Sequence, residues 1–227
     1  MRCLVTAGPT YEPLDAVRRL TNFSTGRSGT ELADFLTAKG HDTTLLLGEQ
    51  ATWRGESRAS KVERFSTTAD LQARLQSKQD LPPEAIFQAA AVSDYSFGKV
   101  YSQTATGELV ELRAGKIATR EGRILAELVP TPKILSQLRG WFPNAILVGW
   151  KYEVDGSRAD AIARGETQIR ECRTDVCVVN GPAYGAGFGL LTSAGEQCHL
   201  ARLEELFEAL EGKIRASPGL YPCRTQF

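Results

Sequence analysis

Ser24, Thr25, Gly26, Arg27, Ser28 and Gly29 crowd hydroxyls, a guanidinium and two glycines into consecutive positions. The amphipathic run that follows, residues 30–39, reads as a helix. Free backbone N–H groups and the positive end of the helix dipole sit at such a junction, and both favour an anion. The two glycines let a ligand approach the backbone closely. Phosphate or carboxylate is the natural guest. The same residues also fit a plain helix cap, with Ser28 or Thr30 as N-cap. The pattern is neither G-x-G-x-x-G nor a P-loop, since no Gly-Lys-Ser/Thr follows.

Two other residues carry usable chemistry. Asp94 follows an apolar run, residues 85–92, that reads as a central parallel strand buried on both faces. A carboxylate beyond the end of such a strand can bind ribose hydroxyls or magnesium, or can bond its own backbone. Lys116 lies in a glycine-punctuated segment, about residues 97–130, that breaks the surrounding rhythm. Two antiparallel strands, residues 108–113 and 123–129, would flank residues 114–119 as a flap over the same rim. An ammonium there could follow a developing negative charge, or simply be solvated.

The elements that must position these residues alternate. Strands are expected at residues 3–5, 43–47, 61–65, 85–92, 145–150 and 175–179, with a terminal pair near 190–191 and 198–200. Helices are expected at 30–39, 68–78, 131–139 and 158–173, and Leu203, Leu206, Phe207, Leu210 and Ile214 form one face of a last helix. This alternation predicts an α/β fold: a Rossmann-like, doubly wound, mostly parallel sheet with a β-hairpin flap inserted. One domain would cover residues 1–216, with 217–227 as an irregular tail. The connection 6–29 is far longer than a normal βα loop, which marks it as functional, and Leu14, Val17, Leu20 and Phe23 are expected to anchor it.

The totals exclude several classes. Among 227 residues, 27 Lys and Arg balance 27 Asp and Glu, so nothing favours bulk nucleic-acid or membrane binding. No apolar run approaches the roughly 20 residues of a membrane span, and no signal peptide is read at the start. The five cysteines form no C-x-x-C pair and only two histidines exist, so no metal site is expected. Reduced, mostly buried thiols in a cytoplasm are the simplest account. His41, at a helix exit, reads as a surface turn residue.

The segments then accumulate into a pattern. TAGPTYEPLDAVRRLTNFSTGRSG (residues 6–29) resembles the nucleotide- and phosphopantothenate-binding loop of phosphopantothenoylcysteine synthetases. QAAAVSDY (88–95) resembles their second signature, and AGKIATREG (114–122) resembles the flap with its essential lysine. ELVPTPKIL, ILVGWKYEV and DVCVVNG match later signatures in the same order, over about residues 3–210. The resemblance implies a ligase that joins 4′-phosphopantothenate to L-cysteine through an acyl-cytidylate, with CTP favoured over ATP as co-substrate and Mg²⁺ required. It implies no flavin, a homodimer, and small-molecule substrates as partners. It assigns catalysis to Asn22 and Lys116. Nucleotide binding falls to Gly8, Ser24, Gly26, Ser28, Gly29, Ala90, Ala91, Val92, Asp94, Gly149 and Trp150. Substrate binding falls to Asn22, Thr25, Arg27 and Asn180.

The chain also departs from that pattern. Gly181 replaces an aspartate, Ala118 and Thr119 stand where further flap lysines are usual, and the helix before Asp175 lacks its two lysines, so that only Arg170 and Arg173 could substitute. A non-catalytic protein of the same fold that holds a nucleotide or phosphorylated ligand is the alternative. An NAD(P)-dependent dehydrogenase lacks its glycine fingerprint here.

Overall fold

A computed structural model describes residues 1–113, 115–118 and 122–216. The chain opens with β1 (Arg2–Ala7), the short strands β2 (Tyr11–Pro13) and β3 (Arg19–Thr21), and helix α1 (Arg27–Ala38). It continues through β4 (Asp42–Gly48), β5 (Lys61–Phe65), α2 (Thr68–Gln76) and β6 (Ala85–Gln88). An inserted unit holds β7 (Tyr95–Gln103), β8 (Leu109–Leu112) and β9 (Arg123–Pro130). Then come α3 (Ile134–Trp141), β10 (Ile146–Tyr152), α4 (Arg158–Cys172), β11 (Val176–Asn180), β12 (Phe188–Thr192), β13 (Gln197–Leu200) and α5 (Leu203–Ala216).

The main sheet has the order β13-β12-β11-β10-β6-β1-β4-β5. The β5 to β11 portion is parallel throughout, and β12 and β13 add an antiparallel edge. Alternate residues of each central strand feed two cores. Cys3, Val5, Phe87 and Val148 meet the apolar faces of α1 and α5, through Leu32, Leu36, Leu206 and Leu210. Leu4, Ile86 and Leu147 meet α2 and α3, through Leu71, Leu75, Ile134 and Leu138. Helices on both faces make the sheet doubly wound, as the alternation of strand and helix predicts. Caps fix the helix starts: Thr67 accepts from the Asp70 N–H, and Ser157 and Asp160 form a reciprocal capping box.

Four expectations are corrected. Residues 89–92 do not extend β6; they leave the sheet and bond the loop after β1 instead, with Ala91 bridging Pro9. The inserted unit is a three-stranded sheet rather than a hairpin: β7 lies between β8 and β9, which do not pair with each other. Val17, Leu20 and Phe23 anchor nothing, since Val17 is 65% and Phe23 107% exposed. The connection is instead tied by buried Thr10 and Glu12; the Glu12 carboxylate accepts from the Thr68 N–H at the start of α2 (3.0 Å). His41 is buried, because α5 covers the exit of α1 and places Glu211 3.4 Å from its Nε2. The expected tail, 217–227, and flap residues Ala114, Thr119, Arg120 and Glu121 lie outside the described residues.

Candidate active site at the sheet's switch point

β1 and β6 are neighbours, and the strand order runs outward from them in opposite directions. In an open α/β sheet, ligands bind in the crevice outside the carboxyl ends of the strands at this point. Here two loops lace the crevice together. Thr6 Oγ1 accepts from the Ala90 N–H (3.1 Å), Gly8 O from Ala91 N–H (3.0 Å), Ala91 O from Thr10 N–H (3.1 Å), and Thr10 Oγ1 from Ser93 N–H (2.8 Å). The β2–β3 hairpin then delivers Asn22, whose Nδ2 donates to Ala91 O at 3.1 Å. Asn22 thus stands beside Ala90, Ala91 and Val92, residues distant from it in sequence. Asp94 follows them, exposed, with no partner for its carboxylate among the described residues.

The anion-type turn lies on the α1 side. The helix begins at Arg27, not at residue 30, and its N-cap is Gly26 in the left-handed conformation (φ 81°), with no side-chain cap. Thr30 donates its hydroxyl to Gly26 O (2.9 Å) and is buried, so neither Ser28 nor Thr30 is the cap. The Arg27 N–H is taken by Thr25 Oγ1 (3.3 Å); beyond that bond the end of the helix is open, flanked by Ser24, Thr25 and Ser28. Gly29 has a packing reason: a Cβ there would stand 2.6 Å from Ala7 Cβ. Gly8 and Gly26 approach each other closely, a Cβ on Gly26 reaching 3.3 Å from Gly8 Cα. Arg27 is not a free cation; it pairs with Glu31 (2.9 Å) and stacks on Trp53 at 4.9 Å.

Lys133 just before α3, Lys151 at the end of β10 and Arg164 and Gln168 of α4 line a cleft of about 320 Å³, together with Asp160 and Glu171. Lys151 and Arg164 both pair with Glu153. Burial pushes the Glu153 carboxyl up, but hydrogen bonds from Arg164 and Lys151 outweigh it and hold the group below its ordinary value. Arg170 and Arg173, the expected stand-ins for lysines, do not reach this cleft. They line a separate hollow with Arg139 and Asp175, at the opposite ends of β10 and β11. Gly149 is the register partner of Gln88, and Trp150 packs into the α1–α5 core. Among the described residues, Gln88, 5% exposed, has no hydrogen-bond partner for either side-chain polar atom, and Asn180 Oδ1 is likewise buried and unpartnered. Gly181 explains the missing aspartate: its φ is 109°, and a Cβ would meet Glu153 O at 2.4 Å.

Lys116 is exposed, but its backbone neighbours are docked on the first connection. Ala16 N–H donates to Gly115 O (2.9 Å), and Ile117 N–H donates to Asp15 Oδ2 (3.1 Å). Arg18 hydrogen bonds, together with backbone N–H groups, hold the Asp15 carboxyl well below the usual carboxylate range. Burial pushes the Cys3 and Cys177 thiols up to about 12, so neither is a nucleophile. Among the described residues no group of three or more His, Cys, Asp or Glu could hold a metal ion. Asp15, Arg18, Lys133, Lys151 and Arg164 escaped the sequence reading. Only Asp15 offered a signal, as an aspartate opening a turn two and three residues before the N–H groups it accepts.

Residues 1–202 match the model of the DNA/pantothenate metabolism flavoprotein C-terminal domain. The chain belongs to this family. A relative named cysteine/cysteine sulfinic acid decarboxylase, from an unknown prokaryotic organism, is 31% identical over 83% of this chain and 48% of its own. The coenzyme A biosynthesis bifunctional protein CoaBC of Thermococcus kodakarensis is 29% identical over 79% of this chain and 41% of its own. The chain thus spans about half the length of the curated relatives it matches. Its fold is that of the DNA/pantothenate metabolism flavoprotein from Streptococcus pneumoniae, with a TM-score of 0.80 and 23% identity over 95% of this chain and 99% of that one. No helix among the described residues is long and apolar enough to cross a membrane.

Proposed function

We propose that the protein is a phosphopantothenate–cysteine ligase of coenzyme A biosynthesis. The observation that carries the reading is the hydrogen bond from Asn22 Nδ2 to Ala91 O, which brings the first connection onto the β6 rim beside an open helix end. Family membership supports it, as does the name of the CoaBC relative.

In this reading the phosphopantothenate carboxylate attacks the α-phosphorus of a nucleoside triphosphate and pyrophosphate leaves. The cysteine amine then attacks the acyl carbon of the acyl-nucleotide, and the nucleoside monophosphate leaves. Two anions must meet in the first step, so oriented N–H donors and cations have to oppose their repulsion. The α1 N-terminus with Ser24, Thr25 and Ser28 takes one anion. The cleft of Lys133, Lys151 and Arg164 takes the triphosphate, and Asn22 holds the acyl-nucleotide between them. Gly8, Ala90, Ala91 and Val92 offer backbone groups to the base, and Asn180 faces the cysteine. Magnesium prefers one or two carboxylates plus substrate phosphates, which Asp94 on the open rim fits. It would neutralise phosphate charge there. CTP is the preferred nucleotide, and the enzyme works as a cytoplasmic dimer.

The test is pyrophosphate release on mixing phosphopantothenate, cysteine, Mg²⁺ and either CTP or ATP. Release that requires phosphopantothenate, and is faster with CTP, is expected. Nucleotide binding without any release would leave a ligand-binding protein. Equal or faster turnover with ATP would reject the CTP preference alone.

A further inference from the structure

The contacts that hold Lys116 in place come from the first connection, and they grip both of its neighbours. Gly115 O accepts from Ala16 N–H (2.9 Å). Ile117 donates its N–H to Asp15 Oδ2 (3.1 Å) and accepts from Arg18 Nη2 at its carbonyl (2.7 Å). Ile117 is only 6% exposed, whereas Gly115 and Lys116 are exposed. The receiving turn is organised by itself. Asp15 accepts from the N–H groups of Val17 (2.9 Å) and Arg18 (2.7 Å) and from Arg18 Nε (3.1 Å), and its side chain is 1% exposed. A carboxylate already oriented by these bonds presents its second oxygen to the flap without rearranging. The Arg18 guanidinium is fixed by the same carboxylate and presents its outer edge to the Ile117 carbonyl.

We propose that Asp15 and Arg18 form a latch that positions Lys116 for the reaction proposed above. They are positioning residues, since neither needs to touch substrate. Lys116 lies in the connection that crosses from β8 to β9, and an exposed ammonium on such a connection samples a wide volume unless its backbone is held. Pinning the peptide groups on both sides of it limits that volume to what the side chain can sweep. The turn that carries the latch continues through β3 into Asn22, so the flap lysine and the crevice asparagine are set by one hairpin. Loss of the latch leaves Lys116 intact but in place only part of the time, and the rate falls by that fraction.

The experiment uses the full chain. In Asp15→Asn the side chain keeps its shape and one acceptor but loses the ion pair with Arg18. Arg18→Gln removes the donor to Ile117 O from a half-exposed position that does not threaten folding. Amide hydrogen exchange, read without substrates, should show Ile117 protected in the unmodified protein and at least about tenfold faster in both variants, with β1 and β6 unchanged. Pyrophosphate release should fall about 10- to 100-fold in each variant. In a Lys116→Ala background the same changes should lower it no further, because a latch acts only through the lysine it holds. Unchanged exchange at Ile117 in both variants would overturn the latch. So would a full additional loss on top of Lys116→Ala, which would mean that Asp15 or Arg18 acts on substrate directly. If the unmodified protein releases no pyrophosphate, the ligase reading fails and hydrogen exchange alone decides the latch.

Discussion

Lys116→Ala should separate catalysis from stability more cleanly than any other change in this protein. The Lys116 side chain is exposed and has no partner among the described residues, so truncation to Ala uncovers almost no buried apolar area. The bonds that dock the flap run through Gly115 and Ile117 and do not involve the side chain that is removed. The flap therefore stays docked, and the melting temperature should move by no more than about one degree. Loss of one charge-stabilising donor typically costs about 10²–10³ in rate, or about 2.7–4 kcal/mol of transition-state stabilisation. The upper half of that range is expected here, because Ala118 and Thr119 bring no further ammonium groups to the flap. Lys116→Arg should restore only part of the rate, since a planar guanidinium replaces a compact charge. The assay is steady-state pyrophosphate release, with circular dichroism and a thermal melt on the same samples. Agreement of the Lys116→Ala and unmodified rates within about threefold would refute a phosphate-stabilising role.

Three further outcomes are expected. Gly181→Asp, which restores the usual family residue, should destabilise by about 1–3 kcal/mol instead of improving turnover, because φ is 109° and a Cβ would meet the Glu153 backbone; an unchanged melting temperature would contradict this. Gln88→Met should raise the melting temperature by about 2–4 °C, because a side chain of similar volume replaces a buried amide with no partner among the described residues, a gain of about 1 kcal/mol; a fall would show that the amide is satisfied in solution. Stability should decline in acid. Burial raises Asp70, Glu63 and Glu153, but their hydrogen-bonded partners win and hold each below ordinary values of 3.8 or 4.5. The stability they contribute is complete above the unfolded values and is lost as pH falls through the lower folded ones, so the melting temperature should hold to about pH 5 and drop below about 4.

The sheet and helices were legible because their signals are local. Buried strands read as apolar runs, and helix starts carry their own caps, such as Thr67 and Ser157. The failures share a cause, a partner far away in sequence. Residues 89–92 are as apolar as Ala85–Gln88, but Ala90 bonds the Thr6 hydroxyl and Ala91 the Gly8 carbonyl, so the backbone ladder of β6 does not continue. His41 looks like a turn residue until α5 brings Glu211 over it. β7 carries no strand signal in the sequence, because its mixture of glycine, lysine and aromatic residues alternates poorly; β8 and β9 on its two sides hold it extended. The site divides in the same way. Asp94 and Lys116 stood out by type and setting and Asn22 through the family resemblance, while Lys133, Lys151 and Arg164 lie on separate elements that only the sheet order brings to one cleft.

The charges in that cleft bear on how the proposed reaction divides its electrostatic work. Lys151 and Arg164 are both committed to Glu153, and Asp160 and Glu171 line the same space. Asp160 is itself engaged in capping α4. Of the three cations, only Lys133 enters the cleft without a carboxylate partner among the described residues. An ion pair attracts a further anion far more weakly than a lone cation does, since the fields of its two members oppose each other at a distance. In the proposed reaction such a cleft would seat a triphosphate and fix its direction, but its paired charges would not by themselves neutralise the charge that grows when a carboxylate attacks phosphorus. In that reaction the charge would fall to the groups with no carboxylate partner among the described residues: the N-terminal end of α1, Lys133 and Lys116. The end of α1 and Lys133 are fixed by the fold. Lys116 comes from the β8–β9 connection of the inserted sheet, and in the proposed latch Asp15 and Arg18 decide where it stands.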